Sequence, residues 1–189
     1  MRPATASASG FSLVEVLVAT ALLATAIVTL AQLFAISTRT NLGSHNSTFA
    51  TVLAQQKLEE LRSLSWGFDR QGLPLSDTTT DTTVNPETAN GGTGLSPSPN
   101  TTLQSNTAGW VDYLDGYGQK VCCTGANMPF TASYTRRWMV SPLPTNPNNT
   151  LVIQVLVTRS RARGPADLGA VGRLPEEARV ITAKTRKAQ

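Results

Sequence analysis

Cysteine and histidine are almost absent from this chain. It has two adjacent cysteines, Cys122 and Cys123, and one histidine, His45. Three such groups cannot complete the four-coordinate Cys/His set of a structural zinc site. In an oxidising compartment the two thiols could close a strained vicinal ring, pair with another chain or stay reduced, and all three states remain open. Catalytic signatures are also missing. No G-x-S-x-G, H-E-x-x-H or P-loop pattern occurs, and Gly92 and Gly94 lack the flanking strand and helix that a phosphate-binding loop needs. His45 has no nucleophile motif beside it. The expectation is a chain that is not an enzyme and has no metal or cofactor, an exported hydrolase with an unusual site being the weaker alternative.

Charge is sparse and uneven. Charged residues make up 15% of the sequence and the net charge is +4. Eight Lys/Arg against three acids fall within 159–189, which leaves the remainder near neutral. A basic end of this kind favours acidic partners, DNA among them, although solubilising charge at strand edges is the preferred reading. Asp112 and Asp115 stand close together, but two carboxylates are few for a calcium cage, and Asp115-Gly116 reads as a turn leading into a sheet. With 189 residues, the chain has room for one membrane helix and one modest folded domain.

What the sequence does contain begins with a long apolar run. From 11 to 36 only Glu15 is charged. At about 1.5 Å per helical residue, the run covers the roughly 30 Å of bilayer hydrocarbon. A secretory signal would have a shorter apolar core followed by a small-residue site, and Ala19-Thr20-Ala21 and Ala24-Thr25-Ala26 have that form. The run continues past both, and Glu15 lies inside it. An intramembrane carboxylate costs about 2.5–3.5 kcal/mol at a helix centre, so it calls for a partner.

The residues Gly10-Phe11-Ser12-Leu13-Val14-Glu15, followed by this run, resemble the prepilin signature of type IV pilins and type II secretion pseudopilins. The resemblance implies that a prepilin peptidase cuts between Gly10 and Phe11, removing the leader 1–10, and that Phe11 is then N-methylated. It implies a single-pass protein of the bacterial inner membrane with its C-terminal domain outside the cytoplasm. Assembly with other pilin or pseudopilin subunits would then carry it into a cell-surface type IV pilus as a minor pilin or into a periplasmic pseudopilus, a membrane-anchored DNA-binding component of DNA uptake being the alternative from another class. One departure is visible: Ser9 stands where the family often has Lys or Arg. The adjacent Cys122 and Cys123 also differ from the long-loop disulfide common in major pilins. Cleavage would create a cationic amine at Phe11, about one helical turn from Glu15. The glutamate of one subunit can then accept the amine of its neighbour, since buried ions are tolerated when paired. Glu15 is the expected assembly residue, with capping of its own helix as the alternative.

Beyond 36 the polar stretch STRTNLGSHNST holds poor helix formers, and then FATVLAQQKLEELRSL restores helical spacing through Phe49, Leu53, Leu58, Leu61 and Leu64. This predicts one helix over about 12–65, bent or loosened near Gly43, whose second part lies on a sheet. Lys57–Glu60 and Glu59–Arg62 are i,i+3 pairs worth a few tenths of a kcal/mol each on a helix surface, on the order of 0.2–0.5. From 76 to 108, Thr, Ser, Asn, Gly and Pro dominate, which predicts an exposed and partly disordered loop. Strand signals follow in TASYTRRWMV, TLVIQVLVTRS and RVITAK. The expected fold is α+β and similar to the pilin fold, a long N-terminal helix packed on an antiparallel sheet of about three strands. Its divisions are a leader 1–10, a transmembrane helix 11–36, an amphipathic helix 37–65, a variable polar region 66–133 and a sheet region 134–189.

Overall fold

The computed structural model describes residues 10–121, 127–159 and 177–186. One helix, α1 (Leu13–Ser63), is followed by strands β1 (Trp66–Phe68), β2 (Pro74–Ser76), β3 (Val111–Leu114), β4 (Tyr134–Pro142), β5 (Thr150–Arg159) and β6 (Ala178–Thr185). The chain divides into two compact units, Met1–Leu42 and Gly43–Gln189. The helical assignment runs unbroken through Gly43. A lone glycine costs about 1 kcal/mol relative to alanine, which a helix of this length absorbs.

In the first unit every described residue is solvent-exposed, and the most apolar window has a mean hydropathy of 2.3 with none of it buried. The helix is thus long and apolar enough to cross a membrane. Its threonines are consistent with that environment. Thr20, Thr25 and Thr29 each donate their hydroxyl to a carbonyl three residues earlier, at 3.0, 2.8 and 2.8 Å. Folding the hydroxyl back onto the helix satisfies its hydrogen without any outside partner.

In the second unit the helix lies on a four-stranded antiparallel sheet of order β3-β4-β5-β6, with β1 and β2 forming a separate two-stranded ribbon. About three strands were expected. The additional sheet strand is β3, in the stretch read as a turn, and the ribbon flanks a turn closed by Asp69, whose carboxylate accepts the amides of Gln71 and Leu73. Ala50, Leu53, Ala54, Leu58 and Leu61 of the helix, with Leu64 just beyond it, pack against Trp138, Val140, Ile153, Val155 and Val157. Phe49, the first residue of the expected stripe, is half-buried and stacks at a tilt on Tyr134 with ring centroids 5.5 Å apart. Register accounts for the alternation: Trp138 pairs Val155 and Val155 pairs Val180, so these side chains share the face toward the helix. The opposite face of β3 carries Val111 and Tyr113, which form a second small cluster with Ala132.

The polar segment after β2 is ordered rather than partly disordered. Its aspartates organise the threonines that follow them. Asp77 accepts the amides of Thr79 and Thr80 and the Thr80 hydroxyl, and Asp81 accepts the amide and hydroxyl of Thr83. Such side-chain-to-backbone turns replace regular structure where little apolar surface is available. Leu95 is the one buried apolar anchor of the segment, 1% exposed in the main core. Ser98 then ties it to the sheet, exchanging hydrogen bonds with the backbone of Val140.

Candidate assembly site and a buried ion cluster

Gly10 and Phe11, the residues of the expected cut, are both exposed, Phe11 at 83%. The carbonyl of Ser12 accepts the amides of Glu15 (3.0 Å) and Val16 (3.2 Å), so Ser12 opens the helix and Glu15 is its third residue. Ser and Glu at this spacing form the sequence pattern of a capping box, a local signal that the apolar run obscures. The first turn of a helix also favours negative charge, through its unpaired amides and dipole. Among the described residues no hydrogen bond or ion pair holds the Glu15 carboxylate.

The second unit contains a charged centre that the sequence did not reveal. Lys57, on the buried stripe of the helix between Ala54 and Leu58, is fully enclosed. Its ammonium forms ion pairs with Glu60 Oε2 at 3.0 Å and Asp112 Oδ2 at 3.4 Å and donates to the Thr82 carbonyl at 2.5 Å. It also lies 3.9 Å from the centroid of the Trp138 ring, a cation–π contact. Arg136 on β4 meets Asp112 on β3 with two bonds, Nε–Oδ1 at 2.9 Å and Nη2–Oδ2 at 2.8 Å. The cross-strand register Asp112↔Arg136 makes this fork possible. The remaining Arg136 nitrogen donates to the Leu53 carbonyl at 3.0 Å. Lys120 completes the group, donating to Glu60 Oε1 (2.5 Å) and to the carbonyls of Thr82 (2.8 Å) and Val84 (3.0 Å).

The electrostatics follow the geometry. Burial alone would raise the Asp112 and Glu60 carboxyls, but the cations around them win. Arg136 and then Lys57 hold Asp112 below its ordinary range, and Lys57 and Lys120 do the same for Glu60. Burial pulls Lys57 down, against Asp112 and Glu60, which push it up. The three acceptors and the ring face around its nitrogen all favour the ammonium. The cluster therefore joins helix and sheet through ion pairs and the polar segment through hydrogen bonds to its carbonyls, and every member has an intramolecular partner. The pair Lys57–Glu60, expected as a minor surface contact, is part of this interior. Glu59–Arg62 remains exposed, at 2.8 Å.

The other candidates separate. Asp112 belongs to the ion cluster, while Asp115 accepts the amides of Tyr117 (2.8 Å) and Gln119 (2.9 Å) to close a turn. Gly118 in that turn has φ of 82°, a conformation that favours glycine, and a Cβ there would also press on Leu53 Cδ2 at 2.9 Å. His45 is exposed on the helix. Cys122 and Cys123 lie outside the described residues.

Two basic residues at the C-terminal end are committed within the fold. Lys184 donates to the carbonyls of Leu61 (3.3 Å), Arg62 (2.5 Å) and Leu64 (2.5 Å), closing the C-terminal end of the helix where positive charge is favoured. Arg186 stacks 3.6 Å from the centroid of the Trp66 ring and donates to the carbonyls of Asn148, Gly67 and Leu75 and to the Ser76 hydroxyl. The chain matches no family model, no curated protein and no solved structure.

Proposed function

We propose that this chain is a structural subunit, a minor pilin, of a type IV pilus or related filament rather than an enzyme. The observation that carries the reading is the joining of two features in one helix. Its first part is wholly exposed and apolar, with a single carboxylate in the first turn directly after Gly10-Phe11. Its last part packs on an antiparallel sheet. A helix of this kind is suited to lie in lipid first and among the helices of other subunits later, carrying a folded domain in both states. In this reading prepilin peptidase cuts after Gly10, Phe11 becomes N-methylated, and Glu15 accepts the Phe11 amine of a neighbouring subunit. A role as a pseudopilin of a type II secretion system uses the same chemistry.

DNA binding through the basic end is the reading not favoured here, and two of its described residues support that. Lys184 and Arg186 already donate to backbone carbonyls of their own domain, and nucleic-acid contact would need cations free to reach phosphates. N-terminal sequencing of membrane-extracted protein tests the proposal. The expected first residue is Phe11, carrying a methyl group. A start at Leu22 or Ile27, after one of the Ala-Thr-Ala sites, would show ordinary signal cleavage and overturn it.

A further inference from the structure

Strand β6 ends the four-stranded sheet on one side, and its outer edge is open. Register shows which of its backbone groups face outward. Arg186 donates its amide to the Asn149 carbonyl at 2.8 Å, continuing the pairing Thr150↔Thr185 by one step. Backbone bonds alternate sides along an antiparallel strand. Residues 178, 180, 182 and 184 therefore turn their amides and carbonyls to β5, while Arg179, Ile181, Ala183 and Thr185 turn theirs away from the sheet. Among the described residues none bonds these outward groups. The opposite edge differs: Val121 donates to the outward carbonyl of Tyr113 on β3 at 2.8 Å, and Lys120 bridges Leu114.

Sheet edges usually carry a guard against pairing, such as a proline, a bulge or a charge held at the edge. Strand β6 has no proline, and its register with β5 runs without a bulge along its 8 residues. Its centre, Val180-Ile181-Thr182-Ala183, is uncharged and led by β-branched residues, which favour strands. Its two charges are drawn away from the edge. Arg179 donates across to Gln154 Oε1 on β5, and Lys184 donates to the Arg62 and Leu64 carbonyls at the helix end. Ile181, on the face opposite Val180 and the helix, is 56% exposed.

A cleft of about 560 Å³ lies beside the 183–185 end of this edge, with Arg62, Ser63, Leu64, Trp66 and Lys184 in its walls. The surroundings are basic: Arg62, Arg179, Lys184 and Arg186 stand against the carboxylates of Glu59 and Glu177. Bonds to carbonyls fix Lys184 and Arg186 without neutralising them. We propose that the β6 edge docks an extended segment of a partner protein, uncharged at its centre and acidic at its ends, which adds one strand to the sheet. Seven partner residues opposite 179–185 would exchange about eight backbone bonds, two at each outward residue. The acidic ends meet Arg179 on one side and Arg62 with Lys184 on the other, while apolar side chains cover Ile181. Main-chain bonds supply the affinity and the charges supply the choice of partner. A second copy of β6 suits the site less, because it would add another Arg179 and Lys184 to the same basic rim. The site belongs to the second unit and does not depend on the filament reading.

Residue-resolved hydrogen exchange of the full chain in detergent micelles tests this, with a capped heptapeptide of alternating valine and threonine carrying glutamate at both ends as the probe. At saturating peptide the amides of Arg179, Ile181, Ala183 and Thr185 are expected to slow about tenfold, the scale of one backbone hydrogen bond. Those of 178, 180, 182 and 184, already bonded to β5, should hold their rates. The same peptide ending in lysines should bind about five- to tenfold more weakly, since both end contacts become repulsive. Ala183→Pro removes an outward amide and none that faces β5, so it should abolish the effect while β5 keeps its protection. Arg179→Glu leaves the backbone edge intact and should narrow the preference for the glutamate-ended peptide, which keeps the test decisive if the proline variant unfolds. Rates of the four amides that stay unchanged at millimolar peptide, protection shared evenly along 178–185, equal binding of the two peptides, or an effect that survives in Ala183→Pro would each overturn the proposal. The same alternating protection arising without peptide as the chain is concentrated would make a second copy the occupant and overturn the acidic partner.

Discussion

Asp112→Asn removes one charge from the interior while keeping the shape of the side chain, which makes it the most informative perturbation of the domain. In the intact cluster Asp112 is 2% exposed and neutralises Arg136 through two bonds and Lys57 at 3.4 Å. Without it, two buried cations share the Glu60 carboxylate, 3.0 Å from Lys57 and 4.0 Å from Arg136, with Lys120, which already holds its other oxygen. Breaking a buried ion pair costs about 3–5 kcal/mol, because the surviving charge stays desolvated. The residual Glu60 contact and the Leu53 carbonyl bond place this case near the lower end, about 3 kcal/mol. Urea unfolding followed by tryptophan fluorescence is the assay, since Trp138 lies against Lys57 and senses the cluster. The pH dependence has a definite sign. Asp112 and Glu60 are depressed in the folded state, so their contribution is present above their unfolded values of 3.8 and 4.5 and is lost as pH falls through the folded ones. The Asn variant should lack the Asp112 share of this acid loss. A cost below about 1 kcal/mol, the scale of an exposed pair, would refute the claim that the cluster is buried and coupled.

Two further outcomes are expected. Glu15→Leu should insert into membranes at least as well as the unaltered chain, because an apolar residue replaces the carboxylate; incorporation into sheared filaments should fall sharply, and normal incorporation would reject the pairing of Glu15 with a neighbour's amine. Arg186→Ala removes hydrogen bonds to both strands of the β1–β2 ribbon together with the stack on Trp66. It should cost about 1–2 kcal/mol, with hydrogen exchange rising first in 66–76, and protection unchanged there would show that the ribbon holds itself.

The sequence by itself determined the features that depend on near neighbours. The run from 11 to 36 can be measured against a bilayer by counting residues. Leu53, Leu58, Leu61 and Leu64 declare a buried helix face by their spacing, and the clustered Val and Ile of β5 declare a strand. The position of Glu15 at the start of a helix was legible for the same reason.

Tertiary structure decided what depends on distant partners. Lys57 lies on the buried stripe, yet its charge suggested a solvated surface pair until Asp112, Thr82 and Trp138 were brought around it. The four residues of β3 are too few to announce a strand, and they become one by pairing along their length with β4, Arg136 standing opposite Asp112. The threonine-rich segment buries little of its own and takes its order from Asp77 and Asp81, from Leu95 in the core and from the ammonium groups of Lys57 and Lys120. Periodicity reports which face of an element is buried. It carries no information about which residue of another element arrives there, because that is set by strand register and helix docking across the whole domain.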